Sequence, residues 1–401
     1  MTVLRMSTAA LHAQGLQGML KQQQAVARTQ HELVSQTKLH RGADNPSGMA
    51  RAQTLDHALA SLLQQGKNAN LVEHRLRTQE GALADVGSQL DRARVLTVQA
   101  NSGSLSPQDR ASIAQELRAV RSELLAIANR DDGNGRRLFA GTRDGVIPFA
   151  DNGGVVAYAG DDGRNTVEIA PDQWAVDGEA GSDVFLRVRT GDGIVRGSAA
   201  AGNTGTGVLQ SSGVTDHAAW SGQALRVEFT AADAWRVVDG AGNELSTGSY
   251  AEGGATISAG GMQLTLAGTP APGDSFTVEP APVRDVFATL QGLADALEAP
   301  VSSAAERARR DNLVGAALGD IATAQDHMLA LRSATGSGLA ALDGATDTRA
   351  STDLTLQESL SELRDVDFAE AASRLSLQLT ALDAAQKTML RVQGMSLFDR
   401  M

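Results

Sequence analysis

Leu55, Leu62, Ala69, Leu76, Leu83 and Leu90 recur at seven-residue intervals through a stretch without proline. Six apolar positions in register keep one stripe on one face of a very long helix, and this period favours left-handed coiled packing against a helical partner. The start of the helix is marked by Asp44-Asn45-Pro46, where Asn45 can cap free amides and Pro46 suits the first helical position. A break follows at Asn101-Ser102-Gly103. Ser106-Pro107-Gln108-Asp109 then opens a second helix whose apolar residues, Ile113, Leu117, Val120, Leu124 and Ile127, follow the 4, 3, 4, 3 spacing. Asp131-Asp132-Gly133-Asn134-Gly135 is a turn-rich stop.

Near residue 140 the period changes. Residues 141–283 are rich in Gly, Asp and Thr, lack lysine, and carry short β-branched runs. Strands are predicted at Val155 to Tyr158, Thr166 to Ile169, Val184 to Val188, Leu225 to Phe229, Met262 to Leu266 and Phe276 to Val278, with Gly-Asp, Asp-Gly and Gly-Asn turns between. All three tryptophans and both tyrosines lie here, which predicts a β domain with its own small core. Helical spacing returns after Pro280-Ala281-Pro282. Leu313, Ala317, Ile321, Ala324, Met328 and Leu331 form one stripe, Gly336-Ser337-Gly338 is expected to loosen the helix, and a last helix carries Phe368, Leu375, Leu379, Leu382 and Met389.

Helical stripes at both ends are most simply buried against each other. The expected architecture is therefore α+β and multidomain: a long antiparallel helical bundle from both chain ends, with an inserted all-β outer domain. The boundaries fall at residues 1–40 with 360–401 (terminal helices), 41–140 with 284–359 (helical middle domain) and 141–283 (β outer domain). In the first forty residues the stripe is thin: Leu4, Leu11, Met19, Val26 and Leu33, with polar Gln23 and Gln30 where a seam favours apolar residues. Such ends are marginal in isolation, so both termini are expected to be largely disordered in the free monomer and to fold when neighbouring subunits bury them.

Composition narrows the chemistry. The chain has no cysteine, which removes disulfides and thiol chemistry. The net charge of −12 disfavours a nucleic-acid partner. No run approaches the ~18 apolar residues of a membrane span, and the opening residues do not form a cleavable secretory signal. The seven histidines lack metal-ligand spacing. Gly202-Asn203-Thr204-Gly205-Thr206-Gly207 lacks the Lys-Ser/Thr of a phosphate cradle and reads as a flexible loop. Asp131 to Gly135 and Gly160-Asp161-Asp162-Gly163 read as tight turns without calcium-loop spacing. No activated nucleophile is found, so neither catalytic residues, a metal nor a cofactor is expected.

Several segments resemble bacterial flagellar axial proteins of the flagellin superfamily. Leu4-Arg5-Met6-Ser7-Thr8 is similar to that family's opening. Arg41-Gly42-Ala43-Asp44-Asn45-Pro46-Ser47-Gly48-Met49-Ala50 resembles the loop joining its two inner domains, although the usual Pro-Ser-Asp-Asp-Pro run is replaced. Asp132-Gly133-Asn134-Gly135-Arg136-Arg137-Leu138-Phe139-Ala140-Gly141 is similar to the stretch that enters the variable outer domain. In the tail, Asp365-Val366-Asp367-Phe368-Ala369-Glu370-Ala371, Leu382 to Gln386, and Val392 to Asp399 carry the most specific likeness. The ending Ser396-Leu397-Phe398-Asp399 favours the junction members over flagellin itself, whose tails usually end in a leucine pair.

The resemblance covers residues 1–141 and 284–401. It implies a structural, non-enzymatic subunit joining the hook-side junction protein to the filament. A filament subunit, or a stem carrying a surface-binding β module, is the alternative. The implied partners are further copies in a ring, hook-associated protein 1, flagellin and a cytoplasmic type III export chaperone, with no membrane insertion. The implied location is the extracellular flagellum. The expected assembly and chaperone surface comprises Leu4, Leu11, Met19, Val26, Leu33, Phe368, Leu375, Leu379, Leu382, Met389, Leu397 and Phe398.

Overall fold

The structure, a computed structural model, describes residues 8–43, 45–251 and 253–398. In chain order the elements are α1 (Thr8–Ser35), α2 (Pro46–Ala100), α3 (Pro107–Ala128), β1 (Phe149–Asn152), β2 (Val155–Tyr158), β3 (Thr166–Ala170) and β4 (Gln173–Val176). A π-helical turn (Ser182–Leu186) follows, then β5 (Val188–Arg189), β6 (Val195–Ala199), β7 (Val208–Val214), β8 (Leu225–Ala231) and β9 (Ala234–Asp239). The chain continues through β10 (Glu244–Ser249), β11 (Gly253–Ala259), β12 (Met262–Gly268), β13 (Ser275–Pro280) and β14 (Val283–Arg284). It closes with α4 (Val286–Glu298), α5 (Ala304–Arg364) and α6 (Phe368–Phe398). Helical ends thus flank a central all-β region.

The chain divides into two compact units, residues 1–66 with 347–401 and residues 67–346. Helices α2 and α5 contribute residues to both.

In the first unit α1 pairs with α6. Asn45 caps α2 as its sequence predicts: its Oδ1 accepts from the Gly48 amide at 2.9 Å and the Ser47 hydroxyl at 3.0 Å.

The second unit is built on α2, α3, α4 and α5. Within it α2 and α5 run antiparallel: Arg332 meets Glu80 at 2.7 Å, Gln79 donates to Thr335 at 3.2 Å, and Gln325 to Asp91 at 2.5 Å. Of the heptad residues Leu62, Ala69, Leu76, Leu83 and Leu90 are buried and Leu55 is half-buried, so the seven-residue stripe is the packing face. Helix α3 starts where the sequence predicts, and a capping box closes it, with Ser106 and Asp109 each receiving the other's backbone amide.

A continuous core joins these helices through Leu83, Leu90, Leu117, Leu124, Leu290 and Ile321. Phe139, Phe149, Phe185 and Phe287 fill its centre with ring centroids 5.3 to 5.8 Å apart. The first third of the middle region therefore belongs to the helical core, contrary to the single separate β core expected; Tyr158 packs there too. The strand expected at Val184 to Val188 is mostly the π-helical turn. Val184 and Phe185 are adjacent and both buried, which the alternation of a strand with one buried face does not allow.

Residues 195–280 do form a β module with a core of its own. A five-stranded antiparallel sheet, in the order β10-β9-β8-β13-β6, shares one apolar cluster with a three-stranded sheet, β11-β12-β7. Alternation sets the inner faces: Leu225, Val227 and Phe229 from β8, and Met262, Leu264 and Leu266 from β12. Trp220 and Trp235 pack at the edge of this cluster, whereas Trp174 on the β3–β4 hairpin is exposed.

Two further expectations are corrected. Helix α5 runs without interruption through Gly336 and Gly338. Each glycine costs about 1 kcal/mol of helix propensity, but a β-carbon at Gly338 would already touch Leu76 Cδ1 at 3.4 Å, so the small residue lets α2 and α5 close together. The stripe on α5 is also anchored by Val314, not by Leu313, which is exposed. The glycine-rich loop at 202–207 is pinned instead of free. Buried Asp274 accepts the amides of Thr204 at 2.7 Å, Gly205 at 3.0 Å and Ala271 at 2.9 Å.

Candidate assembly surface

Helices α1 and α6 lie antiparallel. Met389 packs over Gly15, Gln22 Nε2 donates to the Gln378 carbonyl at 3.1 Å, and Arg374 meets Glu32 at 3.3 Å. At the far end the pair is tied down by backbone. The Lys38 amide donates to the Arg364 carbonyl at 2.7 Å, and the Val366 amide to the Gln36 carbonyl at 3.1 Å, forming a bridge between Thr37 and Asp365. Arg364 grips Asp56 with both guanidinium nitrogens, which joins this corner to α2.

The mutual face of the pair is half closed. On α1, Val26, Thr29 and Glu32 are buried and Met19 and Leu33 half-buried; on α6, Ala371 is buried and Leu375, Leu382 and Met389 are half-buried. Gln23 and Gln30 point to solvent, so the polar positions in this seam are Gln22, Thr29 and Glu32. The single stripe expected on α6 splits in two, because Phe368 and Leu379 are exposed.

A second apolar face remains uncovered within the chain. Leu16 and Leu20 on α1, and Phe368, Leu379 and Leu390 on α6, are all exposed, with Leu390 at 69%. Phe368, Leu379 and Leu390 are spaced by eleven residues, which closely matches three helical turns and aligns them along one side of a straight helix. An open groove of about 490 Å³ lies on the other flank of α6, lined by Gln22, Arg374, Leu377, Gln378 and Ala381; Leu377 is nine residues from Phe368, about two and a half turns. A helix pair that displays apolar residues on its outer face, rimmed by polar ones, is a surface built for protein contact.

Leu4 lies outside the described residues, and Leu11, Leu397 and Phe398 fall within helices whose side chains there are not described. A single apolar stripe per helix leaves out Leu16, Leu20, Leu377 and Leu390. The sequence signals three of them, through the i, i+4 pair Leu16 and Leu20 of α1 and the eleven-residue step from Leu379 to Leu390 on α6; Leu377 falls outside that spacing. Among the described residues no cluster of three or more His, Cys, Asp or Glu could hold a metal ion. The turn carboxylates take protein donors: Asp132 accepts the amides of Asn134 and Arg136, and Asp161 that of Thr142.

Comparison with known proteins bears on this surface. Residues 6–144 match the bacterial flagellin N-terminal helical region, and residues 318–399 the bacterial flagellin C-terminal helical region. The crystal structure of FlgL from Xanthomonas campestris is 41% identical, with a TM-score of 0.72 over 77% of this chain and 99% of that one. Flagellar hook associated protein-3 from Legionella pneumophila is 26% identical, with a TM-score of 0.73 over 78% of this chain and 98% of that one. Flagellar hook-associated protein 3 of Salmonella typhimurium is 28% identical over 182 residues, 45% of this chain and 57% of that protein.

Proposed function

Because the chain belongs to the family of flagellar hook-associated protein 3, FlgL, within the flagellin superfamily, we propose that it is a structural subunit joining the hook to the flagellin filament. The observation that carries this reading is the two-faced helix pair. One face of α1 and α6 closes the chain on itself, and the other offers Leu16, Leu20, Phe368, Leu379 and Leu390 to neighbours. Association through such a surface is driven by apolar burial, and no bond is made or broken. Copies of the chain would form a ring, with hook-associated protein 1 on the hook side and flagellin beyond. Different neighbours at the two ends of the ring would give it its adaptor role.

The same face accounts for a route outward. Helix α6 presents its apolar side before assembly, so a cytoplasmic export chaperone would cover it first and neighbouring subunits afterwards. The terminal segments would order fully only in that second step, since a helix pair with one face open gains little stability in dilute solution. In this reading the chain passes unfolded through the type III apparatus and acts in the extracellular flagellum.

Complementation of a strain lacking the chain tests the proposal. Leu379→Glu is expected to abolish filament attachment and chaperone co-purification. Leu63→Glu, at an exposed position on α2, is expected to leave both intact. Normal attachment and chaperone binding with Leu379→Glu would refute the role given to this face.

A further inference from the structure

A second site lies wholly within the unit of residues 67–346. The turn after α3 and the strand end after β4 meet α2 around a cavity of about 430 Å³, lined by Arg75, His74, Asp132, Asp177, Asn134 and Leu71 among others. Arg75 is 5% exposed. Its Nη2 donates to the carbonyls of Arg137 at 2.9 Å and Leu138 at 3.4 Å. Its Nε and Nη1 have no hydrogen-bond partner. Two carboxylates pair with it by charge without hydrogen-bonding it: Asp177 is 3.5 Å from Nε and Asp132 is 3.8 Å from Nη1. A buried guanidinium that is paired by charge with two carboxylates, but has two donors making no hydrogen bond, keeps bonding capacity for a further group.

The chemistry of the lining selects the occupant. An anion would meet Asp132 and Asp177; a cation would meet Arg75 and Arg136. An apolar molecule would leave every polar group unpaired. A hydroxyl group donates one hydrogen bond while accepting others, so adjacent hydroxyls can accept from Arg75 and donate to the flanking carboxylates at once. Leu71, Val72 and Val167 add apolar wall for the carbon face of such a molecule. The volume far exceeds the ~30 Å³ share of a single water and falls in the range of small-molecule pockets.

The geometry points to a binding site for a neutral saccharide, with Arg75 as the donor and Asp132 and Asp177 as the acceptors for neighbouring hydroxyls. The site is separate from the assembly face and independent of the proposed function.

Saturation-transfer NMR on the full chain, with D-glucose, D-galactose and D-mannose and their methyl glycosides at millimolar concentration, tests it. Transfer to at least one of these sugars is expected. Transfer to both free sugar and glycoside identifies a soluble sugar, and transfer to the glycoside alone identifies the end of a glycan; either supports the site. Asp177→Asn is expected to weaken binding by roughly ten-fold or more. Leu71→Glu, at an exposed wall position that leaves the fold intact, is expected to reduce it as well. No transfer to any of the six probes would overturn the inference. Transfer unaffected by either substitution, or equal transfer to the anionic sugar sialic acid, would overturn it too.

Discussion

Glu32 of α1 is buried, and its carboxylate meets Arg374 of α6 at 3.3 Å while Arg28 on its own helix approaches at 3.2 Å. One carboxylate thus ties two helices that are 342 residues apart at that point. Both arginines are well exposed, so solvent screens the attraction. Arg374→Ala is expected to cost about 1 kcal/mol, not the ~3–5 kcal/mol of breaking a fully buried pair. Hydrogen exchange of α6 amides near residue 374 would quicken about five-fold. Unchanged protection would mean the pair does not hold the helices together.

The helical core carries the larger energies. Leu117 is fully buried on α3, so Leu117→Ala is expected to cost about 2–5 kcal/mol through lost burial and the cavity left behind. Leu63, on α2 but 68% exposed, is expected to change stability by no more than ~0.5 kcal/mol on truncation. Chemical denaturation of the two variants separates them. Equal losses would place the packing face of the long helices elsewhere.

Most of this helical frame was legible in the sequence because its signals are local and periodic. The heptad leucines, the Asn45 and Ser106 caps and the stripe from Ile113 to Ile127 need no knowledge of distant residues. Val184-Phe185 could not be read that way. Their burial depends on Phe139, Phe149 and Phe287, which come from other parts of the chain. The split of α6 into two faces was hidden for a related reason: periodicity marks apolar residues without saying which partner covers them. Only the placement of α1 shows that Leu375 and Leu382 turn inward while Leu379 does not.

Asp274 offers a test of the β module. Its buried carboxylate accepts three backbone amides and fixes the loop at 202–207. Asp274→Ala leaves those donors orphaned and is expected to cost at least ~2 kcal/mol, with exchange at Thr204 and Gly205 rising first. Retained protection at both amides would show that the loop is held by other contacts.

The start of α5 gives a pH dependence with a defined sign. Hydrogen bonds from Ser302, through its hydroxyl and amide, and from the Ser303 amide hold Glu306 down to about 2, from an ordinary value of 4.5. A carboxylate whose folded pKa is lowered contributes stability above its unfolded value and loses it as pH falls through the folded one. Protection of the first turn of α5 is therefore expected to be complete above pH 4.5 and to decline progressively toward about 2. Carbon-detected NMR titration of Glu306 checks the midpoint, and an ordinary carboxylate midpoint would remove the cap from the account.

The most direct test of the junction role is immunogold electron microscopy of intact flagella, with antibody raised against the β module at residues 195–280. Label confined to a narrow band between hook and filament is the predicted result. Label along the whole filament would make the chain a filament subunit and contradict the account.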